Sequence, residues 1–250
     1  MTYCVGLMLN KGMVFMSDTR TNAGVDNIST FRKMFSWDVP GDRSITVMTA
    51  GNLATTQAVI SLLEERSKAV QDRNPSILQA ESMFQVATLI GDTLKEVISD
   101  HAEEGQRADS GFNATILVGG QIKGGAHRLF MIYPEGNFIE ASKDTPFFQI
   151  GETKYGKPIL DRIIRPGTPH ETAMRCALVS LDSTMRSNAT VGPPIELLFY
   201  PADSLSNASR YYKFEENDPY LVKLRQSWDE NIRKAFNELP SLSLVFGGDV

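Results

Sequence analysis

Tyr3, Val5, Leu7 and Leu9 alternate with their neighbours at the period of two that a sheet imposes. Asn10-Lys11-Gly12 interrupts the run with turn chemistry, and Met13-Val14-Phe15-Met16 resumes it. Further strands are predicted at 33–37 and 44–50, the second ending at Gly51. The period then changes. Leu53, Val59, Ile60, Leu62 and Leu63 make an apolar stripe against Glu64, Glu65, Arg66 and Lys68, predicting a helix that stops at Asn74-Pro75. A second helix is expected from about Ser76 to His101, with Ile77, Leu78, Phe84, Val86, Leu89, Ile90, Leu94 and Val97 on its buried side. Polar residues 103–111 break that pattern, and strands return at 113–118, 128–133, 138–141 and 147–150, the last ending at Gly151. Gly119-Gly120 and Gly124-Gly125 read as hairpin turns. A short helix follows at 158–164. Thr168 and Glu171 form a capping box for another helix that carries Ala173, Met174, Ala177, Leu178 and Leu181. A last core strand is predicted at 195–200.

The order is strands, two helices, strands, two helices, strand. Each sheet needs cover on both faces, so the pattern predicts a four-layer αββα sandwich, two sheets face to face with helices outside. The fold class is α/β, with strands and helices grouped. No linker divides it, so residues 1–250 are expected to form a single domain. Residues 203–250 hold no second core's worth of apolar side chains; they read as an appendage with a helix from Pro219 to Leu239.

Composition narrows the function classes. With 250 residues, 42% hydrophobic and 22% charged, the chain can bury a substantial core. A net charge of −5 disfavours nucleic acid as a partner, because phosphate neutralisation dominates that binding. Cys4 and Cys176 are too few and too far apart for a disulfide framework or a zinc site, and a reducing cytoplasm fits them best. No charged-then-apolar leader is read at the start, and no run reaches the roughly 20 apolar residues of a membrane span, so the sequons at Asn27, Asn113, Asn188 and Asn207 are expected to go unused. His101, His127 and His170 are scattered, and there is neither a Gly-X-Ser-X-Gly elbow nor a Gly-Lys-Ser/Thr phosphate loop. No metal and no cofactor is expected.

What remains is a constellation in the first 51 residues. Thr2 stands at the chain start, Asp18 ends the second strand, Lys33 begins the third, and Ala50-Gly51 lies between strand and helix. If Met1 is removed, Thr2 carries a hydroxyl and a free α-amine on one residue, a nucleophile with its own base. Around these positions the chain reads Ser17-Asp18-Thr19-Arg20-Thr21, Phe31-Arg32-Lys33-Met34-Phe35 and Thr49-Ala50-Gly51-Asn52. In these segments it resembles the proteasome β-type branch of the N-terminal nucleophile hydrolases, and most closely the bacterial subfamily called Anbu, over about residues 2 to 200 and beyond.

The resemblance implies roles. Thr2 would attack the substrate carbonyl while its amine, with an ordinary pKa of about 7.7 to 8.0, takes the proton. Lys33 would favour loss of the hydroxyl proton and keep the amine neutral; Asp18 would hold the ammonium without acting as base. Gly51 would offer its N–H to the oxyanion. The pocket for the substrate side chain would lie near Thr21, Phe31, Phe35, Thr49 and Leu53, with an apolar preference, although Phe31 and Phe35 serve equally well as core residues.

Two segments depart from the family pattern. The Gly-Ser-Gly serine is missing, because Gly151 is followed by Glu152. The Arg-Asp-X-X-Ser-Gly segment reads Arg186-Ser187-Asn188-Ala189-Thr190-Val191-Gly192, so Ser187 or Asn188 replaces the Asp and Thr190 stands in for the Ser. The resemblance further implies a peptide or unfolded-protein substrate, a homo-oligomer built as a ring or a helical array of dimers, and association with other amide-bond enzymes. Two alternatives stay open: a scaffold without turnover, and an amidase or acyl-transfer enzyme acting on a non-protein amide.

Overall fold

The computed structural model describes residues 1–22, 28–68, 76–103, 111–205 and 210–241. Two units result, Met1–Glu216 and Asn217–Val250. In the first, strands β1 (Tyr3–Leu9), β2 (Gly12–Asp18), β10 (Phe147–Gly151), β11 (Ile195–Pro201) and β12 (Tyr211–Phe214) form one antiparallel sheet in the order β10-β1-β2-β11-β12. A second antiparallel sheet runs β5-β6-β7-β8-β9, from Met34–Val39, Arg43–Gly51, Ala114–Ile122, Arg128–Ile132 and Phe138–Glu140. A small hairpin, β3 (Arg20–Asn22) with β4 (Ile28–Thr30), follows β2.

The sheets face each other across a core to which both contribute. Cys4, Phe15, Phe148, Leu198 and Tyr200 from the first meet Met34, Met48, Leu117 and Leu129 from the second. Helices α1 (Leu53–Lys68) and α2 (Met83–Glu103) cover the outer face of the second sheet, where Val59, Ile60, Val86, Ile90 and Leu94 pack on Ile45, Val47, Ile116 and Ile132. On the first sheet, α4 (His170–Ser187) lies over β1 and β2 beside α3 (Lys157–Ile163), and the buried Tyr3 hydroxyl meets Ser180 Oγ at 2.6 Å. Burying each large apolar side chain contributes about 1.5–3 kcal/mol, so the strand ends that carry the site sit on rigid layers. The four-layer αββα sandwich is the observed fold.

Several local expectations change. The second helix begins at Met83, and residues 76–82 form turns whose Ile77 and Ala80 carbonyls accept from Arg43 Nη1 at 3.1 and 2.9 Å. Ser82 Oγ accepts from the Gln85 N–H at 3.2 Å while Gln85 Oε1 accepts from the Glu81 N–H at 2.8 Å, so a Ser-X-X-Gln signature starts the helix. Gly119 and Gly120 lie inside β7 instead of a turn; a Cβ on Gly120 would come within 2.1 Å of the Ser44 carbonyl, so close strand approach selects glycine there. Thr168 does not cap α4. Its hydroxyl accepts from the Arg165 N–H at 2.9 Å and serves the preceding turn, leaving Pro169 at the N-cap without a side-chain bond. β3, β4 and β12 were not expected. The Asn74-Pro75 stop and the sequons at Asn27 and Asn207 lie outside the described residues.

The second unit contains α5 (Pro219–Asn237), started by Asp218, whose Oδ1 accepts from the Tyr220 N–H at 2.8 Å. Among the described residues no helix is long and apolar enough to cross a membrane.

Candidate active site

The β1–β2 register, with Cys4 opposite Ser17, brings the end of β2 alongside the start of β1. There Asp18 is fully buried, and its Oδ1 accepts from the Tyr3 N–H at 2.9 Å. Lys33 precedes β5, and its carbonyl is fixed by the Thr49 N–H at 3.0 Å. Its Nζ donates to Asp18 Oδ1 and to the Arg20 carbonyl, both at 2.7 Å. Asp18 Oδ2 accepts from the Gly192 N–H at 3.2 Å. Burial pushes the Asp18 carboxyl up from its ordinary value; the Lys33 charge and the Tyr3 and Gly192 N–H groups oppose that and favour the carboxylate. The carboxylate is thereby spent on holding a cation, the start of β1 and the segment ahead of β11, which is an orienting task.

Thr2 precedes β1, and its carbonyl accepts from the Glu152 N–H at 2.7 Å just past β10. Thr2, Lys33, Ala50 and Gly51 line one cleft. In the chain as it stands Met1 is attached, and burial, then the Lys33 charge, lower the pKa of its α-amine, with Asp18 opposing. Gly51 closes β6 at φ +120°, a conformation that favours glycine. Asn52 then caps α1, its Oδ1 accepting from the Thr55 N–H at 3.1 Å.

Of the five residues expected around the substrate side chain, Thr21, Phe35, Thr49 and Leu53 line this cleft. Phe31 does not; its N–H is tied to the Thr19 carbonyl at 2.9 Å, and the neighbouring Arg32 lines the cleft instead. Phe35 also packs against the α1–α2 core, so it serves both places. Thr190 lies further back: its hydroxyl donates to Asn188 Oδ1, and Asn188 Nδ2 donates to Glu152 Oε2 at 3.1 Å. Thr190 thus connects to Thr2 through Asn188 and Glu152.

Competing chemistry has little support. Cys4 and Cys176 are buried, and burial pushes both thiols up, Cys176 to about 12, so neither is a ready thiolate. Among the described residues no group of three or more His, Cys, Asp or Glu could hold a metal ion.

A family model described as proteasome subunit matches residues 2–199. The chain belongs to the proteasome subunit family. Solved structures place it with Anbu. Anbu (ancestral beta-subunit) from Yersinia bercovieri is 49% identical, with 96% of this chain and 99% of that chain covered and a TM-score of 0.90. A chain from the helical assembly of the Anbu complex of Pseudomonas aeruginosa is 46% identical, covering 96% and 97%, at a TM-score of 0.88. The Anbu (Gly-1) mutant from Hyphomicrobium sp. strain MC1 is 44% identical over 100% of both chains, at 0.89. No curated protein matches the chain.

The structure joins Glu152 and Asn188, the two residues through which Thr190 connects to Thr2. Asn188, not the exposed Ser187 at the end of α4, makes the contact. A buried carboxylate therefore sits one residue beyond the strand that pairs with β1. Sequence reasoning noted Glu152 only as a missing serine; the Gly151-Glu152 step was the available signal.

Proposed function

We propose that this proteasome-family chain is a threonine-type N-terminal nucleophile hydrolase that cleaves peptide or related amide bonds through an acyl ester on Thr2. The observation that carries the reading is the buried Asp18–Lys33 pair beside Thr2, with the Nζ–Oδ1 distance at 2.7 Å. The mechanism requires a free Thr2 amine, so the Met1–Thr2 bond must first be cleaved. Thr2 Oγ1 then attacks the carbonyl carbon, its proton passing to the α-amine, and the oxyanion is met by the Gly51 N–H. The C–N bond breaks as the ammonium returns a proton to the leaving amine, leaving the ester, which water hydrolyses by the same route in reverse.

The Pseudomonas aeruginosa relative is described as a helical assembly. That description supports a homo-oligomer here, and the free cysteines suit a reducing cytoplasm. The substrate in this reading is a peptide or unfolded chain.

The test is the intact mass before and after exposure to a β-lactone. Ring opening forms the ester on Thr2 and leaves the proton on the former ring oxygen, so the adduct weighs as much as the lactone. Loss of Met1 and one adduct, absent from Thr2→Ala, supports the reading; a processed, assembled chain that takes no adduct overturns it in favour of a scaffold. Its pH dependence is a second expectation. The base is the neutral amine, and a Lys33 charge beside it favours that neutral form, as it does, after burial, for the Met1 amine, so labelling should rise with pH and then level off. A midpoint that does not move upward when Lys33 is replaced by Met would remove the role given to Lys33.

A further inference from the structure

The cleft beside Thr2 is not the apolar slot that two phenylalanines would make. Phe35, Ala50 and Leu53 form an apolar wall, while Thr21, Thr49 and Thr56 contribute hydroxyl groups and Gln57 a carboxamide. Arg32 and Lys33 both line it, and among the described residues no Asp or Glu does. The two cations differ in how far they are committed. Lys33 is buried and held by Asp18 and the Arg20 carbonyl.

Arg32 is held at one point. Its Nε lies 3.3 Å from Glu196 Oε1, and the Arg32 side chain is 57% exposed where that of Glu196 is 4%. The same Oε1 accepts the Tyr211 hydroxyl at 2.6 Å, so Glu196 is itself anchored through β12. The guanidinium carbon stands 5.7 Å from the centre of the Phe35 ring, which restricts the side chain further. An arginine has five N–H donors in a planar fork, and the Glu196 ion pair approaches that fork only from its inner, Nε side. Among the described residues no hydrogen-bond partner meets the two terminal amino groups of Arg32.

An oriented guanidinium with its outer donors unspent, at a cleft with an apolar wall, suits a carboxylate on a short apolar stem. We propose that this cleft selects an acidic residue on the acyl side of the bond cleaved, with Arg32 as the specificity-determining residue. The proposal rests on Thr2 being the nucleophile. The methylenes of a glutamate would run along Phe35 and Leu53 while its carboxylate takes the outer fork of Arg32. Glu196 would act as a positioning residue for that arginine. Because Arg32 is exposed and screened by solvent, discrimination is expected at the low end of what a charge-assisted pair gives, about tenfold.

The test uses peptide vinyl sulfones that differ only in the residue next to the electrophile, Glu, Leu or Arg. Thr2 Oγ1 adds to the β-carbon and the proton goes to the α-carbon, so intact mass counts adducts directly. The Glu probe is expected to label the full, Met1-processed chain at least about tenfold faster than the Leu probe, with rates normalised to β-lactone labelling in each variant. Arg32→Gln should bring the two within about twofold, and Arg32→Glu should favour the Arg probe. Equal or faster labelling by the Leu probe, or a Glu preference that survives in Arg32→Gln, overturns the proposal. Absence of any adduct, from the β-lactone as well, overturns the nucleophile reading and the pocket assignment with it.

Discussion

Lys33→Ala is expected to cut acylation of Thr2 by about 10³-fold or more at neutral pH while the sandwich remains assembled. The Lys33 ammonium acts twice in the proposed chemistry: it favours loss of the hydroxyl proton and keeps the amine neutral by repulsion. Without it the amine pKa rises, more of the base is protonated at pH 7, and part of the rate should return near pH 9 as that proton leaves. The variant also strands Asp18, buried and still accepting from Tyr3 and Gly192. Removing one partner of a buried pair typically costs about 3–5 kcal/mol, so loss of activity could be confused with loss of fold. The double variant Asp18→Asn with Lys33→Met separates the two, because it removes both buried charges. Its denaturation midpoint should recover most of the loss while its labelling rate stays low. Full labelling of Lys33→Ala would sink the mechanism.

The parts of this molecule that were legible in sequence are those decided by local period and chain order. The β1–β2 hairpin, the α1 stripe and the strand ends at Asp18 and Gly51 follow from apolar spacing and turn residues. Lys33 was expected to open the third strand, and it stands one residue ahead of β5. What was not legible depends on pairing at a distance. Gly119-Gly120 looks like a turn until Ser44 of the adjacent strand is seen to leave no room for a side chain. The start of α2 was obscured by Ile77, which is buried from a turn as completely as it would be from a helix. Phe31 and Arg32 illustrate a finer limit. They lie between β4 and β5, where no strand parity sets which side chain faces the cleft, and tertiary contacts decide it: the Phe31 N–H bond to the Thr19 carbonyl and the Arg32–Glu196 ion pair. The Asn188–Glu152 contact joins residues 36 apart in sequence, a pairing that only the folded chain brings about.

Gly51→Ala should reduce Thr2 acylation by about 10²-fold, the scale of losing one oxyanion donor. The argument is steric before it is chemical. At φ +120° a Cβ would lie 2.4 Å from the Asn113 carbonyl oxygen and 2.8 Å from Ala114 Cα. Both are backbone atoms, one in Ala114, the β7 partner of Gly51, and one in the residue before it, so no side chain can rotate away to relieve the contact. The Asn113 carbonyl also accepts from the Asn52 N–H at 2.9 Å, and Asn52 starts α1. Relief must therefore come from tilting the peptide at Gly51, the group proposed to meet the oxyanion. Backbone strain of this kind costs about 1–3 kcal/mol, enough to lower the denaturation midpoint without unfolding the protein. The Asp18–Lys33 pair lies outside the displaced peptide, so the pH midpoint of the residual labelling should stay where it is in the parent chain. That combination, a slower rate at an unmoved midpoint, separates an oxyanion defect from a disturbed base. Labelling at the parent rate would mean that the oxyanion is met elsewhere.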